Sequence, residues 1–586
     1  MQKITQKALK EKGGVRLNAE QMSVVRQLEG VSVVEAGPGT GKTSVIVGKV
    51  MYASLTNPCA TSLILTFSKR AVAEIQSRIL GVANVMVSTF HSFFLRILRS
   101  YGFRHFNFIE NDAKRNEILH YLANKEGYEG RLDVEMIKDA LQRGITTDQL
   151  VKRAVEEYLE VLKDKRMLCC DSLQFFILDL LKNKPSVAIR VRGLYDFVLV
   201  DEAQDISYIQ RKILQSIWVA QEPANLTFVG DSRQSIYGFR GTEVNVMDKL
   251  IKNYNATVFT LRTNYRSTET ILNLAEDVLP NSRAVLKSTK GKGEMVETYI
   301  AEGQSDEAVW VINEIHKLVA KGVRYNQIAV LFRSAPNNEA FYEKFYDEGI
   351  PFAKIGSDVG KANNSRSKHF MAILALLHDY SSNRFKCALP LIGLPNDVVE
   401  NVDDTLPVTF LEKVLTVPTL SRKHKNIIKE FTSINPNEYT FTDLCCLIWD
   451  KYLKAYYRAT DDGILENFLI KATQYQNFTE FHKHFNKMRR ISKQMKRLLD
   501  TVNSDFVRLI SIHSAKGCEF DYVFLVNLVD GVIPNLSYDG VRIDEEQRLA
   551  FVGVTRTAKK LYLSYSKQNG NKPSRFFANA FKEGKV

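Results

Sequence analysis

The sequence has no apolar run long enough to cross a membrane and little cysteine for a chain of 586 residues. A membrane-spanning helix needs about 18 or more consecutive apolar residues. The N-terminal segment is charged and has no apolar centre, so we expect no secretory signal. Seven cysteines include the adjacent pairs Cys169-Cys170 and Cys445-Cys446 but no CxxC spacing. This disfavours a disulfide framework and a zinc site, and it predicts a reduced, cytoplasmic protein.

Acidic residues are fewer than basic ones. The chain has 80 Lys and Arg against 66 Asp and Glu, which gives a net charge of +14. Spread over so long a chain, this excess is only a modest indication of a polyanionic partner. A hydrophobic content of 45% and a charged content of 25% are typical of a globular protein. The length predicts roughly three or four domains of about 150 residues.

Short apolar strands alternate with helical segments in the first part of the chain. The predicted strands are Val31–Ala36, Ser62–Phe67, Val85–Ser88, Phe197–Val200 and Leu226–Val229. Such an alternation is typical of a parallel sheet covered on both faces by helices. Between about Tyr101 and Arg166 the sequence becomes charged and helical, which indicates an insertion into the first α/β domain.

The alternation returns in the second part, so the predicted fold class is α/β with two α/β domains. The predicted strands there are Val258–Leu261, Ile328–Phe332, Leu509–Ile512, Tyr522–Val526 and Leu561–Leu563. A mostly helical segment interrupts this domain as well. The predicted boundaries are 1–100 and 167–243 for the first domain, 101–166 for its insert, 244–375 and 504–586 for the second domain, and 376–503 for its insert.

A glycine-rich loop follows the first strand and precedes a helix. It reads Ala36-Gly37-Pro38-Gly39-Thr40-Gly41-Lys42-Thr43. Backbone N–H groups of such a loop hold phosphates at a helix N-terminus. Lys42 is expected to reach the β- and γ-phosphates of ATP, and the Thr43 hydroxyl is expected to ligate Mg²⁺. Ala36 stands where a first glycine is usual.

An acidic cluster, Asp201-Glu202-Ala-Gln-Asp205, follows the strand Phe197–Val200. A carboxylate at this end of a parallel strand lies beside the phosphate loop of a neighbouring strand. Asp201 is therefore a candidate Mg²⁺ ligand, and Glu202 is a candidate for polarising the attacking water. Taken alone, such acidic pairs are often only helix caps.

Two arginines are candidates for contacting the γ-phosphate from the second α/β domain. Arg266 lies in Thr-Asn-Tyr-Arg-Ser, and Arg556 lies in Val-Gly-Val-Thr-Arg-Thr. A guanidinium in that position stabilises the charge of the transition state. Spacing alone leaves surface salt bridges as the alternative.

The ordered motifs resemble those of superfamily 1 helicases of the UvrD/Rep/PcrA type. The matches run from Leu17 to Phe576 and cover both α/β domains, and they match the inserts only weakly. LNAEQ resembles the Q motif, TFSKRA motif Ia, STFHS motif Ib, DEAQD motif II and VGDSRQSIYGFRG motif III. NYRS resembles motif IV, IHSAKGCEF motif V and EEQRLAFVGVTR motif VI.

The resemblance implies two RecA-like domains, called 1A and 2A, with inserted subdomains 1B and 2B. It implies that Gln21 reads the adenine edge, that Tyr265 stacks on the base and that Glu519 contacts the ribose. Arg266 and Arg556 become the two arginine fingers. ATP and Mg²⁺ are the implied cofactors. Relatives of this type move 3′ to 5′ on single-stranded DNA.

Motif III carries both a polar side chain and rings in one loop. The resemblance implies that Gln234 senses the γ-phosphate while Tyr237 and Phe239 stack on bases and Arg240 contacts the strand. Stacking on a base contributes about 1–3 kcal/mol and tolerates any sequence. On the same grounds, the remaining predicted DNA contacts are Phe67, His91 and His513. Outside this family pattern, the two rings would be interpreted as core aromatics.

Two of the following three features depart from the family pattern, and the third is a charge pattern within the second insert. Pro395, which has no N–H, stands where relatives carry the second glycine of a duplex-gripping hairpin. Asn569-Gly570 suits a tight two-residue turn with no ring at its tip. Phe481–Leu499 is strongly basic, and a solvated helix face and a surface for duplex or protein both remain possible. We therefore predict a reduced 2B, weaker strand separation than translocation, and no appended nuclease domain.

The predicted partners are single-stranded DNA and single/double-strand junctions, with no membrane. A nuclease or a single-strand-binding protein is a further possible partner. Two alternatives to a self-sufficient helicase stay open from sequence. One is a helicase subunit of a larger machine with a separate nuclease, as in Gabija-type phage defence, and the other is an ATP-gated DNA-binding module with weak unwinding.

Overall fold

A computed structural model describes most of the chain. The described residues are 16–109, 112–125, 127–128, 131–144, 146–219, 225–238, 241–243, 245–280, 285–334, 338–355, 365–378, 388–395, 410–418, 420–454, 469, 472–501, 504–536 and 543–582. The chain forms two compact units. The first contains the described residues up to Gly303 and those from Ala515 onward, and the second contains Gln304–Ser514.

The strands and helices alternate along the chain. The strands are β1 Val31–Ala36, β2 Ser62–Thr66, β3 Val85–Thr89, β4 Asn107–Phe108, β5 Met167–Leu168, β6 Phe197–Val200, β7 Leu226–Gly230, β8 Thr257–Leu261, β9 Thr263–Asn264, β10 Lys287–Ser288, β11 Glu297–Ala301, β12 Ile328–Phe332, β13 Phe352–Ile355, β14 Val507–Ser511, β15 Phe520–Leu525 and β16 Thr557–Ser566. The α-helices are α1 Ala19–Arg26, α2 Lys42–Thr56, α3 Lys69–Arg78, α4 Phe90–Ser100, α5 Asp112–Ala123, α6 Val134–Arg143, α7 Gln149–Asp164, α8 Cys170–Asn183, α9 Pro185–Arg192, α10 Tyr208–Ile217, α11 Val246–Tyr254, α12 Glu269–Val278, α13 Gln304–Ala320, α14 Glu339–Asp347, α15 Ser365–His378, α16 Phe410–Leu415, α17 Arg422–Thr432, α18 Phe441–Ile448, α19 Phe478–Asp500, α20 Ile512–Ala515, α21 Ile543–Val554 and α22 Ala578–Lys582.

The first unit is built on a parallel sheet with strand order β3-β2-β6-β7-β1-β8. Its central strands are mostly apolar and buried, as expected where helices cover both faces of a parallel sheet. Glu35 of β1 lies opposite Gly230 of β7, and Val200 of β6 lies opposite Phe228. The loops that follow β1, β6 and β7 therefore leave from the same edge of the sheet, where ligands bind in open α/β sheets.

The charged segment after α4 is helical, as predicted. Helices α5, α6 and α7 lie in it, and its two ends are joined by the parallel pair β4 and β5. Its core is continuous with that of the sheet: Leu119 and Tyr158 belong to the same cluster of buried side chains as Phe93 and Val200. The segment is therefore packed onto the sheet and shares its hydrophobic core.

A second set of parallel strands completes the first unit. β16 lies between β11 and β15, with Leu561 opposite Val523 and Tyr299 opposite Ser564. After β16 the chain turns at Asn569-Gly570, both with positive φ, and the Gly570 N–H bonds the Lys567 carbonyl. The predicted tight turn is present, but in the described part of the chain no strand returns along β16 to form a hairpin.

The second unit combines three parallel strands with a helical region. β14 lies between β12 and β13. The helical region has a core of its own, in which Phe370 stacks on Trp449 with ring centroids 6.0 Å apart. In the long helix α19, Phe481, Met488 and Ile491 are buried.

The structure corrects one strand assignment. The sequence placed Val258–Leu261 in the second α/β domain, but β8 pairs with β1 at the edge of the first sheet. An apolar strand pattern does not say which sheet the strand joins, and α11 returns the chain to the first one. The fold class itself is confirmed: α/β with parallel sheets. The domain boundaries stay predictions.

Within the described residues, no helix combines the length and apolar character needed to cross a membrane.

Candidate functional site: a nucleotide pocket in the first unit

The phosphate loop is shaped by two glycines in the left-handed region of backbone space. Gly39 has φ +68° and Gly41 has φ +84°, and Gly41 precedes the first residue of α2, Lys42. The Lys42 ammonium donates to the Ala36 carbonyl across the loop at 3.1 Å. The loop therefore wraps the N-terminus of a helix, where N–H groups and the helix dipole favour phosphate.

Asn264 holds this loop from outside. Its amide nitrogen donates to the Pro38 carbonyl at 2.6 Å, and the N–H of Tyr265 donates to the Gly39 carbonyl at 2.9 Å. A Cβ at Gly39 would lie 2.8 Å from the Asn264 amide and 2.7 Å from the Arg266 Cβ. Glycine is required at position 39 both by its φ angle and by this close approach.

The acidic pair Asp201 and Glu202 lies at the end of β6, as predicted, with Asp201 buried and Glu202 half-buried. Burial and the neighbouring Glu202 raise the pKa of Asp201 to about 7. Burial also acts to raise the pKa of Glu202, but Lys42 and Lys516 outweigh it and hold that pKa well below its usual range. Glu202 has φ +52°, a conformation that non-glycine residues seldom adopt. Strained backbone of this kind clusters at functional sites.

Gln234 and Arg556 meet in the same pocket. The Arg556 Nη2 donates to the Gln234 Oε1 at 3.2 Å, and the Gln234 amide nitrogen donates to Asp231 at 2.8 Å. Arg556 is only 2% exposed. Burial and the nearby Arg266 lower its pKa, while Glu202 opposes this. This burial excludes the alternative that Arg556 only forms a salt bridge on the surface.

Of Arg266 and the predicted nucleoside contacts, Arg266 is half-buried, Tyr265 and Glu519 are exposed and Gln21 is buried. The Arg266 Nε donates to Glu519 at 2.8 Å, and its Nη1 donates to the Thr555 carbonyl at 3.3 Å. Tyr265 is 42% exposed, and its hydroxyl accepts from the Asn18 amide at 2.9 Å. The Gln21 amide donates to the Thr40 carbonyl at 2.8 Å, so it also braces the phosphate loop.

Two family models match the chain. The UvrD/REP helicase N-terminal domain matches residues 17–255, and the UvrD-like helicase C-terminal domain matches residues 259–409 and 412–568. The chain belongs to the UvrD-like helicases. This membership confirms the resemblance and makes the protein an enzyme, a DNA-dependent ATPase of the helicase class.

Curated relatives resemble this UvrD-like helicase over nearly its full length. The ATP-dependent DNA helicase PcrA of Leuconostoc citreum is 28% identical over 96% of this chain and 84% of its own. The ATP-dependent DNA helicase Rep of Buchnera aphidicola subsp. Baizongia pistaciae is 27% identical over 95% of this chain and 94% of its own. The putative ATP-dependent DNA helicase YjcD of Bacillus subtilis is 26% identical over 94% and 79%.

Lys516 is a residue of this UvrD-like helicase for which the sequence analysis predicted no role. Its ammonium donates to Asp205 at 2.5 Å and to the Gln234 carbonyl at 2.6 Å, and it lies 4.8 Å from the centroid of the Tyr237 ring. It therefore connects motif V to motifs II and III. The sequence signal that could have identified Lys516 is its position inside motif V. For Asn264 the corresponding signal is its position inside motif IV.

The helicase's predicted DNA contacts fall into three groups. Phe67 directly follows β2, and His91 is the second residue of α4, which follows the neighbouring strand β3. Phe67 is 36% exposed, with its ring 5.1 Å from that of Phe90. Burial lowers the pKa of His91, so this imidazole is neutral at pH 7. Tyr237 is half-buried beneath Lys516. Phe239 and Arg240 lie outside the described residues.

The remaining predicted DNA contact, His513, lies in the second unit. It is half-buried at the start of the short helix α20, directly after β14. The assignment of His513 to the DNA path stays a prediction.

Mg²⁺ fits the pocket of this helicase. The adjacent carboxylates of Asp201 and Glu202 supply the oxygen ligands that Mg²⁺ prefers, and burial together with the charge of Glu202 raises the pKa of Asp201. Among the described residues, no group of three or more His, Cys, Asp or Glu side chains could hold a metal alone. Thr43 and Asp201 would therefore hold Mg²⁺ together with nucleotide phosphates and water, which is the usual arrangement for this ion.

Proposed function

We propose that this helicase is a motor that moves 3′ to 5′ along single-stranded DNA and separates strands at single/double-strand junctions. ATP hydrolysis drives the motion. The observation that carries the proposal is the convergence of motifs I, II, III and VI on one pocket. Lys42, Glu202, Gln234 and Arg556 are all buried or half-buried around it.

Each group has a role in hydrolysis. Lys42 and the loop N–H groups bind the phosphates, and Glu202, which stays ionised, accepts a proton from the attacking water. Arg266 and Arg556 stabilise the charge that develops on the transferred phosphoryl group. When bound, Mg²⁺ neutralises the phosphate oxygens, held by Asp201 and Thr43.

Coupling to DNA runs through motif III. Gln234 contacts Arg556 with its side chain and Lys516 with its carbonyl, and Tyr237 lies under the same lysine. A change in the bonding of Gln234 on hydrolysis is therefore transmitted to the segment that carries the predicted base-stacking rings. Stepping requires that these rings grip any sequence, and stacking on bases provides this.

The proposal is tested by ATPase assays with single-stranded DNA, duplex DNA and RNA in parallel. We expect low turnover alone and strong stimulation by single-stranded DNA. Lys42→Ala should abolish the stimulated rate, while the exposed Lys321→Ala serves as the matched control. Turnover that is unchanged by DNA, or retained in Lys42→Ala, would refute the assignment. Polarity is read from streptavidin displacement at the 3′ or the 5′ end of the strand.

A further inference from the structure

The outward face of α19 carries six exposed basic side chains. They are Lys483, Arg489, Arg490, Lys493, Lys496 and Arg497. At about 100° per residue, these side chains fall within a single sector of roughly 140°, opposite the buried Phe481, Met488 and Ile491. We name this sector the basic ridge.

The ridge has no acidic counterpart in the described part of the chain. No carboxylate there forms an ion pair with any of its six members, and Asp500 at its C-terminal end is the one acidic side chain in the same sector. At the edge of the same helix, Lys487 bonds Asp347 at 2.8 Å and His484 bonds Glu343 at 2.7 Å. Acidic residues of α14 thus pair with Lys487 and His484 at the edge of α19. In the described part of the chain, they form no ion pair with the six side chains of the basic ridge.

Such a face is unfavourable for an isolated helix. Arg489 and Lys493, and Lys493 and Arg497, are like charges four residues apart, and each such pair destabilises a helix by a few tenths of a kcal/mol. A face that serves only for solubility normally interleaves acids with bases. The missing acids therefore point to a polyanion that supplies the opposite charge.

We propose that the basic ridge binds the phosphate backbone of duplex DNA. From Lys483 to Arg497 it extends about 21 Å along the helix axis, which matches about six phosphates of one strand at about 3.4 Å each. Of the rings of α19, Phe478 and Phe481 are buried, and Phe485, His482 and His484 are half-buried. Because none of these rings is exposed, the ridge lacks the platform that holds single strands, so it contacts backbone and reads no sequence.

This inference rests on the proposed DNA motor and gives it a second contact, remote in sequence from the nucleotide pocket. The ridge is also separate from the segment around Pro395. It assigns to α19 the task of holding duplex DNA, by electrostatic contact alone.

The experiment measures duplex affinity by fluorescence anisotropy, with a blunt duplex of about 20 base pairs, from about 0.05 to 0.2 M salt. The test variant is Arg489→Gln/Lys493→Gln/Lys496→Gln. The control, Lys321→Gln/Lys559→Gln/Lys567→Gln, removes the same charge from three exposed lysines on other elements. A poly-dT strand of similar length and the DNA-stimulated ATPase rate are measured on the same preparations.

We expect the ridge variant to lose roughly 10- to 500-fold in duplex affinity at about 0.1 M salt. The slope of log affinity against log salt should fall by up to about 2.7, since each phosphate contact contributes about 0.9. Single-strand affinity, stimulated ATPase and the control should change little. Unchanged duplex binding, or an equal loss in the control, would overturn the proposal.

Two further outcomes are informative. An equal loss on poly-dT would show a single-strand contact and would also overturn the duplex assignment. If the wild-type protein shows no DNA-stimulated ATPase at all, the proposed motor fails, whereas a loss confined to the ridge variant's duplex binding still establishes the ridge. If the basic ridge instead binds an acidic protein, the ridge variant should bind the duplex and poly-dT with unchanged affinity, which would overturn the proposal.

Discussion

At the scale of single residues, the pocket is organised by buried charges that contact one another directly. Arg556 meets Gln234, Lys516 meets Asp205, and Glu202 is held ionised by Lys42 and Lys516. Taking a charge out of water costs several kcal/mol unless a partner compensates it. Each of these groups therefore depends on its neighbours, and single substitutions should have effects larger than those of surface changes.

Arg556→Lys should keep ATP binding and lose rate. Lysine retains the charge but cannot reproduce the planar fork that contacts Gln234. Loss of an arginine finger costs about 10³–10⁵ in related phosphoryl transfers. We expect kcat to fall by at least about 10³-fold, with nucleotide affinity changed only a few-fold. Arg575→Lys, at an exposed ion pair with Asp530, is the matched control, and normal kcat in Arg556→Lys would remove this arginine from the mechanism.

Lys516→Met should destabilise the first unit by about 3–5 kcal/mol, the usual cost of leaving one member of a buried pair unpaired. Lys516 and Asp205 side chains are each 5% exposed. The double variant Lys516→Met/Asp205→Asn should recover much of the loss, because no buried charge remains. Urea unfolding of both variants measures this. If the double variant is as unstable as the sum of the singles, the pair is not coupled.

At the scale of elements, α19 is joined to α14 by a titratable contact. His484 lies between Glu343, at 2.7 Å, and Glu339, at 3.4 Å, and Tyr475 packs against its ring. Burial acts to lower the pKa of His484, but the hydrogen bonds and charge of Glu339 and Glu343 raise it to about 9. The imidazolium is therefore the form that holds these two helices together at neutral pH.

The stability of the second unit should therefore depend on pH in a defined direction. A group whose pKa is raised in the folded state stabilises fully below its ordinary pKa of about 6.5 and loses that contribution as pH rises through about 9. We expect the difference in unfolding free energy between wild type and His484→Gln to shrink over that interval. Denaturant titrations at several pH values measure it, and a constant difference would contradict the assignment.

The sequence anticipated most elements and the chemistry of the pocket. Strands such as Val31–Ala36 and Phe197–Val200 were placed correctly, because each is a short, mostly apolar run that ends at motif residues. The partners of Lys516 and Asn264 could not be predicted, since they depend on contacts between segments far apart in the chain. The sheet to which β8 belongs was missed for the same reason.

At the scale of the whole molecule, we predict that strand separation is weaker than translocation. The chain turns at Asn569-Gly570 without a returning strand in the described part, and no ring lies at the tip to stack on the last base pair. DNA stacking averages about 1.4 kcal/mol per step, so opening without a wedge is disfavoured. We expect rapid movement on single strands and poor unwinding of long 3′-tailed duplexes, improved by a single-strand-binding protein. Efficient unaided unwinding would contradict this.

The two-residue strands β4 and β5 have a consequence for how this helicase can diversify. Because they pair, the chain departs toward α5 and comes back from α7 at points about 4.8 Å apart. Sequence can therefore be lengthened or exchanged between them without disturbing the register of the main sheet. Deleting the whole segment between β4 and β5 would expose apolar surface, since Leu119 and Tyr158 belong to the same buried cluster as Phe93. The arrangement permits grafting of a related module but penalises outright loss.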